Sequence, residues 1–191
     1  MYTAREGDTI YAVSLEPDSL DSFVVQAKLT DGRPGTFGGR IRTGRESCFI
    51  DVRDGDFYTA DYSSAGVTKN GARTVTHTGC GSDPSRQEAP HPHQALLSPD
   101  GRYVLVCDLG LDRVFVYDRE LTLVSQADAP KGQGIRHLVF APDGKQVYAV
   151  NELGCSVTEF RWSDGELTAL RTTPFPCAGK SYAGAVRLSE N

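Results

Sequence analysis

SPDGRYVLVCDLGLDRVFVYD (98–118) decides the architecture. It opens on a Pro-Asp-Gly turn and runs into an alternating apolar strand over 103–108. It breaks at Leu109-Gly110 and returns through a second apolar strand over 113–118. APDGKQVYAVNELGCSVTEFRW (141–162) follows the same plan and breaks at Leu153-Gly154. The two turn glycines, Gly101 and Gly144, are 43 residues apart. Two weaker copies lie upstream: RDGDFYTADYSSAGV (53–67), with its turn at Gly55, and REGDTIYAVSLEP (5–17), with its turn at Gly7. A strand–turn–strand unit recurring with a period in the forties is the pattern of β-propeller blades. One such sheet cannot bury both of its apolar faces, whereas stacked sheets can, so the repeat implies radial packing.

Working outward, strands are expected at 9–14, 22–29, 48–52, 57–62 and 64–69. Two four-stranded blades follow, over 95–126 and 138–172. The segment 30–39 reads as a loop on its Asp-Gly and Gly-Gly signals, and 182–189 reads as the first strand of a further blade. Residues 75–92 form a long polar stretch rich in Gly, Pro, Ser and His, the kind of connection that usually carries function or mobility. No helical periodicity appears. The fold class is therefore all-β, a β-propeller with about four blades, in one domain over 1–191. An eight-stranded sandwich is the competing architecture, but sandwiches seldom repeat a turn signature at this period.

The chain carries 25 acidic against 20 basic side chains, a net charge of −5. That balance argues against nucleic acid or an anionic membrane as the main partner. No run approaches the roughly 20 apolar residues of a membrane span, and no leader-like N-terminal pattern is present, so a cytoplasmic location is expected. Cys48, Cys80, Cys107, Cys155 and Cys177 form no Cys-x-x-Cys pair, and their number is odd. Reduced thiols, with Cys107 and Cys155 inside apolar strands, are the expectation, with neither a metal site nor a disulfide framework.

Three polar clusters sit where blade strands begin or end: HPHQ (91–94), GQGIRH (132–137) and NEL (151–153). Arg136 follows His93 by 43 residues, and Asp61 and Asp108 hold the place of Asn151 in earlier blades. Equivalent positions of successive blades converge on one channel mouth, which would gather His93, Arg136 and Glu152, with Asp108 a further candidate. A carboxylate or imidazole there can activate water, and a guanidinium can hold an anion or a developing oxyanion. The plainer readings are structural. His93 and Arg136 could hydrogen-bond backbone carbonyls, Glu152 could simply pair with Arg136, and Asp108 could form an Asx turn. His91 reads as a loop residue, and His77 and His137 as ordinary strand-edge residues. The glycines of Lys131-Gly132-Gln133-Gly134 precede a strand and not a helix, so a phosphate-binding loop is excluded.

Taken in order, RQEAPHPHQALLSPDGRYVLVCDLGLDRVFVYD (86–118), GQGIRHLVFAPDGKQVYAVNELGCSVTEF (132–160), ESCFIDVRDGDFYTADYSSAGV (46–67) and SYAGAVRLSEN (181–191) resemble the lactonase family of seven-bladed β-propellers. That family includes propeller-type 6-phosphogluconolactonases and the fungal carboxymuconate cyclase. The resemblance implies a site of His93, Arg136, Glu152 and Arg187. It implies hydrolysis of a sugar lactone, 6-phosphogluconolactone foremost, without metal or cofactor. A lactone-forming cyclase and a non-catalytic binding propeller are the alternatives. The chain departs from the family pattern at Ile135, where the family motif has Pro. Against a seven-bladed ring it supplies about four blades. An incomplete ring is therefore expected, with a homodimer through open blade faces.

Overall fold

The computed structural model describes residues 2–177 and 181–189. Among them there is no helix, and the strands form four antiparallel meanders. The first sheet holds β1 (Thr3–Glu6), β2 (Thr9–Leu15), β3 (Asp21–Thr30), the two-residue β4 (Arg33–Pro34) and β5 (Gly38–Arg45). β5 pairs with β3, so a strand begins inside the stretch expected to be loop. The second sheet is β6 (Ser47–Arg53), β7 (Asp56–Asp61), β8 (Gly66–Lys69) and β9 (Arg73–Thr76). The third is β10 (Pro92–Leu97), β11 (Tyr103–Asp108), β12 (Arg113–Asp118) and β13 (Leu123–Asp128). The fourth is β14 (Ile135–Phe140), β15 (Gln146–Asn151), β16 (Ser156–Ser163) and β17 (Glu166–Pro174).

The four repeat glycines occupy one structural place. Gly7, Gly55, Gly101 and Gly144 each lie in the turn between the first and second strand of their sheet, with φ of 53°, 79°, 72° and 65°. Only glycine reaches that left-handed region without a Cβ penalty, which explains why the turn signature recurs.

The apolar alternation is used between sheets. One cluster, including Tyr11, Val13, Val24, Ile50 and Phe57, joins the first two sheets. A second, including Tyr58, Val67, Val104, Val106 and Phe115, joins the next two. The third, built on Leu105, Val114, Val116, Leu138, Phe160 and Trp162, joins the last two. In β11, Val104 and Val106 face one neighbour and Leu105 and Cys107 the other, so the strand is buried on both faces. Each such aliphatic contributes roughly 1.5–3 kcal/mol of transfer free energy.

Each of the last three sheets carries a β-bulge in its first strand. The register shifts between Ser47 and Phe49, between Pro92 and Gln94, and between Ile135 and His137. The extra residues are Cys48, His93 and Arg136. A bulge leaves one residue outside the ladder and re-aims its side chain.

Three sequence expectations are corrected. The two Leu-Gly steps are not equivalent. Asp108 pairs with Arg113 and Asn151 with Ser156, so Leu109-Gly110 superposes on Glu152-Leu153, one residue out of phase. The described residues 181–189 form no strand, because no neighbouring strand among the described residues pairs with them; Ala183 N instead donates to Glu152 O at 3.1 Å. Cys155 lies in the turn before β16, at φ 43°, and forms a disulfide with Cys177. The expectation failed because the 22-residue separation hides that β16 and β17 run out and back to the same end.

Two outcomes test this account. A Cβ on Gly110 would overlap the Ala89 carbonyl oxygen, a backbone atom that cannot move aside, whereas one on Gly144 meets open space. Gly110→Ala should therefore cost more than about 3 kcal/mol in denaturant unfolding, and Gly144→Ala only about 1–2 kcal/mol, from its positive φ. Equal costs would refute the packing of the 108–113 turn. Removing the disulfide by Cys177→Ser should lower stability by about 3 kcal/mol, the chain-entropy value for a loop of this size. A melting temperature that neither this change nor a dithiol shifts would exclude the bridge.

Candidate active site

The bulges and the ends of the second strands supply the polar groups of one mouth. Glu152 follows the last residue of β15, and its carboxylate lies between two guanidinium groups. Arg86 Nη2 donates to Oε1 at 2.5 Å, and Arg136 Nε stands 2.7 Å from Oε2. The second contact is an ion pair whose N–H is not aligned for a hydrogen bond. The Glu152 side chain is 9% exposed and the arginines 28% and 20%, so this triad is shielded without being sealed. Arg136 Nη1 donates to the carbonyl of Gly184, which fastens the 181–189 segment to the mouth.

Tyr62 holds in its blade the place of Glu152 and faces the same mouth. Its ring stacks on His91 at 4.2 Å between centroids and meets His93 edge-on at 5.7 Å. Its hydroxyl interacts electrostatically with Arg86. Burial opposes the Arg86 charge, but the bond to Glu152 and the neighbouring Tyr62 hydroxyl outweigh it and hold the pKa above its usual value. Arg86 also lies over the Tyr182 ring, 5.0 Å from the centroid.

His93, the bulge residue of β10, is buried. Burial, and then the Arg136 charge, lower its pKa to about 4. His137 stands beside it, ring centroids 5.2 Å apart, and packs against Phe49 and Tyr2. Burial, then His93, Arg136 and Arg187, lower its pKa to about 3. Both imidazoles are therefore neutral at pH 7 and able to accept a proton. Cys48 Sγ lies 3.7 Å from His93 Nδ1, and burial holds its thiol protonated far above the usual pH range.

The structure thus brings together Arg136, Glu152 and, through Tyr62, His93. Arg187 is exposed, and its guanidinium donates to the carbonyl of Val186; only its charge reaches the cluster, at His137. Asp108 is not a member. It is fully buried, accepting from His77 Nδ1 at 2.5 Å and from the backbone N–H of His91 and Leu111. His77, bonded also to Tyr117 Oη at 2.9 Å, is a core residue and not a strand-edge one. His91 is a wall, set against Tyr62 and bonded to Glu88 at 3.1 Å. The amides of Gly132 and Gly134 donate to the Asp112 carboxylate at 2.7 and 2.6 Å, so that glycine loop binds its own chain. Among the described residues no cluster is suited to hold a metal.

Arg86, Tyr62 and His137 were not reached by sequence reasoning. The repeat would have pointed to Tyr62, which stands where Glu152 stands, and to His137, which follows a bulge. Arg86 lies on the connection between blades, where no repeat position marks it. A cleft of ≈ 560 Å³, lined by Ser82, Asp112 and Lys131 among others, contains none of the site residues. A shallower one of ≈ 350 Å³, bordered by Asp83, Leu153, Cys155 and Tyr182, adjoins the mouth.

Comparison with known proteins agrees with this fold. The model of the family described as "Lactonase, 7-bladed beta-propeller" matches residues 1–191. The uncharacterised protein YwcC of Lactococcus lactis subsp. lactis is 34% identical over 182 residues, covering 84% of this chain and 53% of its own length. The chain thus spans about half the length of the curated relatives it matches. Among solved structures, the periplasmic gluconolactonase PpgL of Pseudomonas aeruginosa superposes with a TM-score of 0.87 at 26% identity, covering 99% of this chain and 62% of its own. A putative 6-phosphogluconolactonase from Bacteroides fragilis gives 0.82 at 28% identity, covering 92% and 57%.

The two depressed histidines fix a pH dependence. The unfolded chain takes up their protons near pH 6.5, the folded one only near 4 and 3. Stability is therefore complete above about pH 6.5 and is lost as pH falls towards 4, by about 1–3 kcal/mol for each histidine. Melts at stepped pH should show this loss, and His137→Phe should flatten it. Imidazole titration midpoints near 6.5 in the folded protein would contradict it.

Proposed function

Because the chain belongs to the lactonase family of seven-bladed β-propellers, we propose that its mouth hydrolyses the internal ester of a sugar lactone, with 6-phosphogluconolactone as the substrate. The observation that carries this reading is the Glu152 carboxylate clamped by Arg86 and Arg136 beside a neutral His93. Two structural neighbours are described as lactonases of sugar acids, one of them of the phosphorylated kind.

Ring opening needs a proton acceptor for the attacking water, a donor set for the carbonyl oxygen as it becomes negative, and a proton for the departing ring oxygen. His93 fits the first need. The protonated Cys48 thiol has backbone carbonyls within reach, Pro92 O at 3.6 Å and His93 O at 3.5 Å, and can accept from Nδ1–H. That arrangement leaves the Nε2 lone pair for water. The proton then returns from the imidazolium to the ring oxygen, so the base of the first step is the acid of the second. Arg136 supplies charge-assisted donors to the oxyanion. Glu152 keeps both arginines in place, and with both its oxygens occupied it is the less suited to act as the base.

Hydrolysis of 6-phosphogluconolactone, followed by acid release, tests the proposal. His93→Gln should lower kcat by about 10²–10⁴-fold, the usual worth of a positioned base. Glu152→Gln should also remove most activity by loosening the arginines, and Arg136→Lys should be damaging because lysine lacks the planar fork. The acid limb of kcat/KM should fall near pH 4, following His93. Wild-type rates for His93→Gln, or a limb near 6.5, would remove His93 from the mechanism.

A further inference from the structure

Arg86 stands outside the set of residues that the family resemblance assigns, yet the mouth is built around it. We propose that Arg86 is the anchor for the phosphomonoester of the substrate and sets the preference for phosphorylated over neutral sugar lactones; the proposal rests on the lactonase reading of the same site.

Three observations lead there. The first is charge. One carboxylate, Glu152, serves two guanidinium groups, and Arg187 adds a third cation felt at His137. Asp83 and Glu88 lie near enough to feel the Arg86 charge, so the positive excess is confined to the Glu152 clamp, where two guanidinium groups share one carboxylate and a bound anion would offset the second. The second is donor supply. Arg136 gives Nη1 to Gly184, and its Nε stands against Glu152 without a hydrogen bond. Arg86 gives Nη2 to Glu152, keeps 28% of its side chain exposed and so retains donors that solvent, or an anion, can reach. The guanidinium fork matches phosphate oxygens in pairs.

The third is placement. The bond to Glu152 and the face of Tyr182 hold Arg86, so less freedom is lost when an anion arrives. Tyr62 also touches His93, at 5.7 Å between rings. Anchor and base thus both neighbour the one tyrosine side chain. Arg86 binds and does not take part in proton transfer.

Binding of the two products separates this role from a purely positioning one. Calorimetry of the wild-type chain should give 6-phosphogluconate an affinity about 10- to 100-fold above that of gluconate, the worth of charge-assisted bonds. Arg86→Gln should bring that ratio close to one, and Arg86→Lys should restore part of it. A wild-type ratio near one overturns the proposal, as does failure of both acids to bind. An Arg86→Gln variant that weakens both acids in equal proportion also overturns it, because Arg86 would then only hold Glu152. Failure of the lactonase reading is seen separately, as a wild-type chain that opens neither glucono-δ-lactone nor its 6-phosphate above the uncatalysed rate while the binding ratio stands.

Discussion

Burial on two sides is the constraint from which the rest follows. A four-stranded sheet whose middle strands read YVLVC and VFVY has no solvent face to offer, so every such sheet needs a sheet on each side. In the third sheet that demand is met, and β11 and β12 are enclosed except at their ends, at Tyr103, Arg113 and Asp118. Radial stacking then brings the first strands together at an axis, where little room remains. The residues that reach it are aromatic rings and imidazoles: Tyr2, Phe49 and His93 each meet His137 edge to face. The chemistry at the mouth comes from packing geometry, because apolar layers carry polar groups only where strands start or stop.

The bulges convert that geometry into a site. A regular strand would send Cys48, His93 and Arg136 into the ladder, alternating between two buried sheets. The inserted residue instead frees each one at the point where its strand approaches the axis. One position in three blades thereby holds a thiol, an imidazole and a guanidinium. The blade-end position beside it holds Tyr62, the fully buried Leu109 and Glu152. Identical backbones with different side chains give a mouth that is asymmetric in charge although its frame repeats.

Much of this was legible in the residues. The glycine turns gave the period and the sheets, since positive φ in a tight turn leaves a strong sequence mark. His93, Arg136 and Glu152 emerged because they stand at strand starts and ends of successive blades, in stretches that resemble the family's motifs. What escaped did so for physical reasons. Arg86 sits on a connection whose shape no periodicity encodes. Tyr62 and His137 look like ordinary strand-end residues until the bulge register is known. The Cys155–Cys177 bridge depends on two strands returning to one level, which spacing alone conceals. Asp108 seemed a channel group and is a core one, because its partner His77 arrives from the preceding sheet.

The one-residue phase difference between the two Leu-Gly steps bears on how such chains can be cut and rejoined. A chimera that exchanged the third and fourth sheets by aligning Leu109-Gly110 on Leu153-Gly154 would be spliced one residue out of register. In a strand every side chain changes face with a shift of one, so residues fitted to one neighbouring sheet would be turned towards the other and the acid lost from the mouth. Joined instead at Asp108 and Asn151, the two modules share the same pairing, with Arg113 and Ser156 opposite. The interchangeable unit is thus delimited by hydrogen-bond register, and a junction chosen from letters alone would miss it.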